Sequence, residues 1–213
     1  MPFTRTNSRR DPRQTSHDGD PLLTFLGTKG LNANLASVNY RLSPFVRHPS
    51  HQEDVIAALA YLQKQYGMKE YILVGHSAGA CLAFQSYDYV EGCIGIVGVE
   101  GIYDLDELVK EYPDYMGFVR AAFGDDRKVW EKASPTSIVR GRTLPTSITF
   151  LLVQSRDDEL LSSRQTELMF EALRETSASL EDVAWIQGSH DISITTPAFH
   201  NLTYNFITDL VNS

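Results

Sequence analysis

The chain has 213 residues, 42% hydrophobic and 22% charged, which is enough to bury a sizeable core. Its formal net charge of −8 argues against nucleic acid or an anionic membrane surface as the main partner. Two cysteines, Cys81 and Cys93, make no disulfide framework, and no apolar run reaches the roughly 18 residues of a membrane span.

Residues 1–20 are polar and show neither a period of 2 nor one of 3.6, which predicts irregular structure. Met1 to Arg10 is basic and has no apolar stretch, so it does not read as a secretory signal, and a cytoplasmic location is expected. On that reading the sequon Asn201-Leu202-Thr203 is incidental. Pro21 to Gly27 is predicted as a short helix, with Asp20 as N-cap. Leu35 to Leu42 alternates apolar and polar residues as a strand does, and Ser43-Pro44 ends it.

Asp54 opens an amphipathic helix through Val55, Ile56, Leu59, Leu62 and Tyr66, which stops at Gly67. The apolar run Tyr71–Val74 is a strand, Ala78–Tyr89 a helix, and Cys93–Val99 a strand apolar enough to be covered on both faces. Residues 104–141 are polar-aromatic and mostly helical, broken at Pro113 and Pro135. That length exceeds a simple crossover and predicts a lid.

Ile148–Val153 and Val183–Ile186 are the last two strands. Between them Ser162 to Gln165 has the form of a capping box for a helix carrying Leu168, Met169, Ala172 and Leu173. Thr196-Pro197 caps a final helix with Phe199, Leu202, Phe206 and Leu210 on one face. Strands alternating with helices predict a parallel sheet with helices on both faces, in a single domain over residues 1–213.

The chemistry centres on Gly75-His76-Ser77-Ala78-Gly79, between the strand at Tyr71–Val74 and the helix at Ala78. Strand, G-x-S-x-G, helix is the setting of a nucleophile elbow. The turn is too sharp for bulky neighbours, and glycines at 75 and 79 remove the clashes. Ser77 is the candidate nucleophile. The Ala78 N–H, at a helix N-terminus, is the candidate oxyanion donor. Such a serine needs a base and an orienting acid, which in this architecture follow in the order Ser, acid, His at the ends of later strands. His190 lies just after the strand ending at Ile186, and Asp157, Asp158 and Glu159 just after the strand ending at Val153. The spacing leaves the choice among the three carboxylates open. Neither His/Cys ligand spacing nor a phosphate-cradling glycine loop is present, so no cofactor and no metal is expected.

With these residues in place, the chain over about 35–211 resembles kynurenine formamidases of the fungal type, within the α/β-hydrolase superfamily. The segments that carry the resemblance are Tyr40-Arg41-Leu42-Ser43-Pro44, the elbow, Gly101–Leu105, Glu111–Tyr115, Asp158–Leu161 with Arg164-Gln165-Thr166, and Gly188-Ser189-His190. The resemblance implies an α/β-hydrolase fold and places the acid on Asp158, with Ser77, Asp158 and His190 as catalytic residues. It implies hydrolysis of the small molecule N-formyl-L-kynurenine to L-kynurenine and formate, in tryptophan degradation towards NAD. Tyr103, Tyr112, Tyr115 and Phe118 are candidates for an aromatic wall against the aryl ring. An aryl or small-acyl carboxylesterase of the same superfamily is the alternative.

The departure from the family is at the start. The family carries a strand ending in His-Gly-Gly-x-Trp, and this chain has Met1 to Arg10 there. The expectation is a sheet without its N-terminal strands, an oxyanion hole reduced to Ala78, impaired activity, and exposed apolar edges that favour a homodimer.

Overall fold

A computed structural model describes residues 19–31, 33–140 and 142–212. The expectations for Met1 to Arg10 and the rest of 1–18 lie outside the described residues. The strands are β1 (Tyr71–His76), β2 (Cys93–Val99), β3 (Thr149–Ser155), β4 (Ser179–Leu180) and β5 (Ala184–Ile186). The α-helices are α1 (Asp20–Thr28), α2 (Ser50–Tyr66), α3 (Ala78–Ser86), α4 (Leu105–Glu111), α5 (Met116–Phe123), α6 (Arg127–Ala133), α7 (Pro135–Arg140), α8 (Arg164–Arg174), α9 (His190–Ser193) and α10 (Pro197–Val211).

Among the described residues the sheet runs β1-β2-β3, and β4 and β5 both pair with β3. All of these pairings are parallel. Alternate strand residues point to opposite faces, and both faces are covered. Leu73, Ile96, Phe150 and Leu152 face Val55 and Leu59 of α2, Leu82 and Phe84 of α3, and Met169 and Ala172 of α8. Val74, Val97, Val99, Leu151 and Val153 face Leu22 and Leu26 of α1 and Phe199, Phe206 and Ile207 of α10. Each such side chain contributes about 1.5–3 kcal/mol by leaving water. A β-carbon on Gly95 would lie 2.6 Å from the Leu210 side chain, so α10 packs where β2 offers no side chain. This is the α/β-hydrolase architecture that the motifs predict.

Several boundaries shift. Asp20 is the first residue of α1 rather than its cap or part of an irregular start. Helix α2 begins at Ser50, four residues ahead of Asp54, and stops at Gly67 in the left-handed conformation (φ 66°). Pro113 opens a 3-10 turn (Pro113–Tyr115) and Pro135 opens α7, so the prolines begin helical pieces where the sequence predicts breaks.

Two expectations are corrected. Leu35 to Leu42 is not a strand. A strand exists through its ladder, and among the described residues none pairs with this segment. Arg41 N–H instead donates to the Asp54 carboxylate at 2.9 Å, and the Arg41 guanidinium binds the same group. The capping box at Ser162–Gln165 does not form either. Ser163 holds the N-cap position and bonds the Glu167 carboxylate, while Gln165 turns inward.

Candidate active site

The turn at Ser77 is built by local sterics. Ser77 adopts φ 54° and ψ −119°, a conformation L-residues rarely take. Its backbone is pinned on both sides. The Ser77 N–H donates to Val99 O at 2.9 Å, and its carbonyl accepts from the N–H groups of Ala80 and Ile102. A β-carbon on Gly75 would lie 2.3 Å from the Gly79 carbonyl oxygen, so the glycine is sterically required. Ala78 is the first residue of α3, where N–H groups have no partner within the helix.

The acid and the histidine come from loops after β3 and β5. Ser155 of β3 pairs with Ile186 of β5, so the two loops leave the sheet side by side. His190 Nδ1 is 2.9 Å from Asp158 Oδ2, and both side chains are nearly fully buried. Asp158 Oδ1 accepts the N–H groups of Leu160 and Leu161, each at 2.9 Å, which fixes the carboxylate plane. The Gln154 amide adds a longer contact to Oδ2 at 3.3 Å, and Thr166 of α8 donates to Gln154 Oε1 at 2.7 Å.

The three carboxylates left open by the spacing therefore do different things. Asp157 accepts from Gly188 N–H at 3.1 Å, and Glu159 accepts from His190 N–H at 2.9 Å. Both hold the backbone of the histidine loop, and only Asp158 meets the imidazole. Gly188, at φ 117°, lets that loop double back over Ser193. The His190 ring lies 4.4 Å from the His76 ring, centre to centre, which brings it to the residue beside Ser77.

A family model described as alpha/beta hydrolase fold matches residues 15–91. A kynurenine formamidase from Meyerozyma guilliermondii is 40% identical over 202 residues, spanning 89% of this chain and 76% of the relative. The chain belongs to the kynurenine formamidase family. A second family member, from Scheffersomyces stipitis, is 29% identical and covers 85% of this chain and 80% of its own length. Among solved structures, an acetyl ester-xyloside bifunctional hydrolase from Caldicellulosiruptor lactoaceticus superposes with a TM-score of 0.71. It covers 99% of this chain and 82% of its own at 18% identity, a likeness of fold.

Around this candidate site, the helical segment after β2 packs on its own apolar cluster. Leu105, Leu108, Val119 and Trp130 gather there with Cys81 of α3 and Leu161 of the acid loop. Tyr112 and Tyr115 stack with ring centres 5.2 Å apart. Both reach the acid loop: the Tyr115 hydroxyl donates to Leu160 O at 3.0 Å, and the Tyr112 hydroxyl accepts from Ser162 N–H at 2.9 Å. Phe118 meets Tyr115 edge-on. Tyr103 does not belong to this group. It is fully buried in the main core against Phe84, and β-carbons on Gly98 or Gly101 would strike its ring.

Gln165, read as a cap, is instead a buried clamp. Its Oε1 accepts the N–H groups of Tyr103 and Asp104, both at 2.8 Å, and its Nε2 donates to Asp104 O at 3.1 Å. Both cysteines are buried, and burial pushes each thiol up to about 12, which leaves them inert.

Glu100 is the residue that the motifs miss. It directly follows β2, next to Ser77's partner Val99, it is fully buried, and it contacts His76, Ser155, Ser193 and His190. A charged residue ending an apolar strand was its visible sign. His76, Glu100 and His190 each present a ligand atom within 4.8 Å of the others. Those atoms face one another in direct contact, and His190 Nδ1 is taken by Asp158, so the cluster reads as a hydrogen-bond network rather than a metal centre.

Proposed function

We propose that this chain hydrolyses N-formyl-L-kynurenine to L-kynurenine and formate, as a serine hydrolase with Ser77 as nucleophile, His190 as base and Asp158 as orienting acid. The observation that carries the assignment is the buried Asp158–His190 contact of 2.9 Å beside a serine held at φ 54°. Membership of the kynurenine formamidase family supports the substrate.

Asp158 fixes the imidazole with its Nδ1–H toward the carboxylate, which leaves Nε2 to take a proton. His190 takes the Ser77 proton as Oγ attacks the formyl carbon. The oxyanion forms near the Ala78 N–H at the start of α3, where the helix dipole favours negative charge. His190⁺ protonates the arylamine as the C–N bond breaks. Water, deprotonated by His190, then attacks the formyl-serine and releases formate.

The acyl group is one carbon, so selectivity falls on the aryl amino acid. Tyr112, Tyr115 and Phe118 supply the aromatic surface for it, on a lid formed by residues 104–141 of a single α/β-hydrolase domain. The kynurenine formed feeds tryptophan degradation towards NAD, in the cytoplasm. No helix among the described residues is long and apolar enough to cross a membrane.

The test is turnover of N-formyl-L-kynurenine by the chain and by Ser77→Ala. Formation of kynurenine that falls on the order of 10⁴-fold or more in the variant is the expected result. Ser77-dependent cleavage of aryl esters without cleavage of N-formyl-L-kynurenine would replace the formamidase assignment with a carboxylesterase.

A further inference from the structure

The mechanism above leaves Glu100 unused. Its backbone sits at φ 45°, in the left-handed region, held by an N–H to Val153 O bond of 2.8 Å. That conformation turns the side chain into the site. Oε1 accepts from Ser155 N–H at 3.2 Å. Oε2 accepts from the Ser193 hydroxyl at 2.9 Å, and lies 3.1 Å from His76 Nε2 and 3.5 Å from His190 Nδ1.

His190 Nδ1 therefore faces two carboxyl groups, Asp158 at 2.9 Å and Glu100 at 3.5 Å. Nδ1 has one proton to give. Two anions around it, both out of reach of water, repel each other. The donors decide which group carries the charge. Asp158 has two backbone N–H groups on one oxygen. Glu100 has one, a hydroxyl, and a histidine nitrogen that can accept a proton.

We propose that Glu100 is a positioning residue for His190, a carboxyl that keeps its proton, donates it to His76 Nε2, and holds the imidazole between itself and Asp158. The proposal rests on Ser77, His190 and Asp158 as the catalytic set. Burial, and then the charge of Asp158, push Glu100 up to about 9, which agrees with the geometry. The titratable groups that face it are Asp158 and Glu159 from the loop after β3, His76 from β1, His190 from α9, and Tyr103 from the segment after β2.

The consequence is for the base. With Glu100 uncharged, the His190 imidazole faces a single anion, Asp158. With both carboxyls charged, the imidazolium would be held too firmly to return its proton to the leaving amine. Ionisation of Glu100 on the alkaline side, around pH 9, then changes the rate.

The experiment compares the chain with Glu100→Gln and Glu100→Ala. Glutamine keeps a donor for His76 and an acceptor for Ser155, and Ser193 retains His190 O as an acceptor at 3.2 Å. At neutral pH Glu100→Gln is expected to keep kcat within about threefold, and Glu100→Ala to lose about tenfold in kcat with KM unchanged. The native chain shows a break in kcat near pH 9 that Glu100→Gln lacks. Infrared difference spectra on Ser77→Ala, which need no turnover, show a protonated-carboxyl band at neutral pH that disappears above about pH 9 and is missing in Ser77→Ala/Glu100→Gln. Absence of that band, or superposable pH profiles for the native chain and Glu100→Gln, overturns the proposal. If the band is present without hydrolysis of N-formyl-L-kynurenine, the functional assignment fails and the protonation of Glu100 stands.

Discussion

The elbow and the acid–histidine pair are two halves of the candidate site, built in opposite ways. The elbow is local. Five consecutive residues, a strand before and a helix after, fix Ser77 at φ 54°, because a β-carbon on Gly75 would lie 2.3 Å from the Gly79 carbonyl oxygen. The acid–histidine pair joins residues 32 positions apart, and side chains bonding to backbone hold it. Asp157, Asp158 and Glu159 grip Gly188 N–H, the His190 ring and His190 N–H in turn. The first half depends on sterics within a single turn. The second depends on a set of hydrogen bonds, and its failures are graded.

Asp158→Asn gives the largest break in the second half. The amide can present N–H to His190 and stabilise the wrong tautomer, and kcat is expected to fall about 10⁴-fold with little change in KM. Asp157→Asn and Glu159→Gln each weaken only one backbone contact and serve as controls. Losses of about tenfold or less at 157 and 159 sharpen the comparison. Equal losses at all three would mean the run acts as one unit.

Gly75→Ala breaks the first half. Its β-carbon meets backbone 2.3 Å away, so the turn must open by about 1 Å, a displacement that costs on the order of 10² in rate. A native-like rate in this variant would show that the elbow tolerates more movement than its close approach implies.

The smallest effect is expected at Gln165, which touches neither half. Gln165→Ala leaves the buried N–H groups of Tyr103 and Asp104 without their acceptor. The loss is on the order of 3 kcal/mol, or about 10 °C in thermal midpoint, with kcat little changed in the folded fraction. A fall in kcat larger than the fall in stability would tie the clamp to catalysis through the helical segment it anchors.

Much of this was legible in the order of residues. The strands at Tyr71, Cys93 and Ile148 were visible as apolar runs, and the elbow as a pattern whose glycines have a steric reason. The sheet faces follow from alternation, with Leu73 and Val74 on opposite sides. Leu35–Leu42 shows the limit of that reasoning. Its alternation fits a strand, but alternation describes side chains and a strand is made by a backbone ladder, which none of the described strands forms with this segment. Ser162–Gln165 shows the same limit for a cap: Gln165 found a better use for its amide across the fold.

The sequence by itself determined the fold class, the sharp turn at Ser77, and the loops that carry Asp158 and His190, because those depend on local sterics and on hydrophobic period. Tertiary structure decided the division of labour among Asp157, Asp158 and Glu159, the burial of Tyr103 away from Tyr112 and Tyr115, and the place of Glu100. Each of those depends on which donor a side chain meets from a distant segment and on how far it lies from water. Neither is encoded in the spacing along the chain.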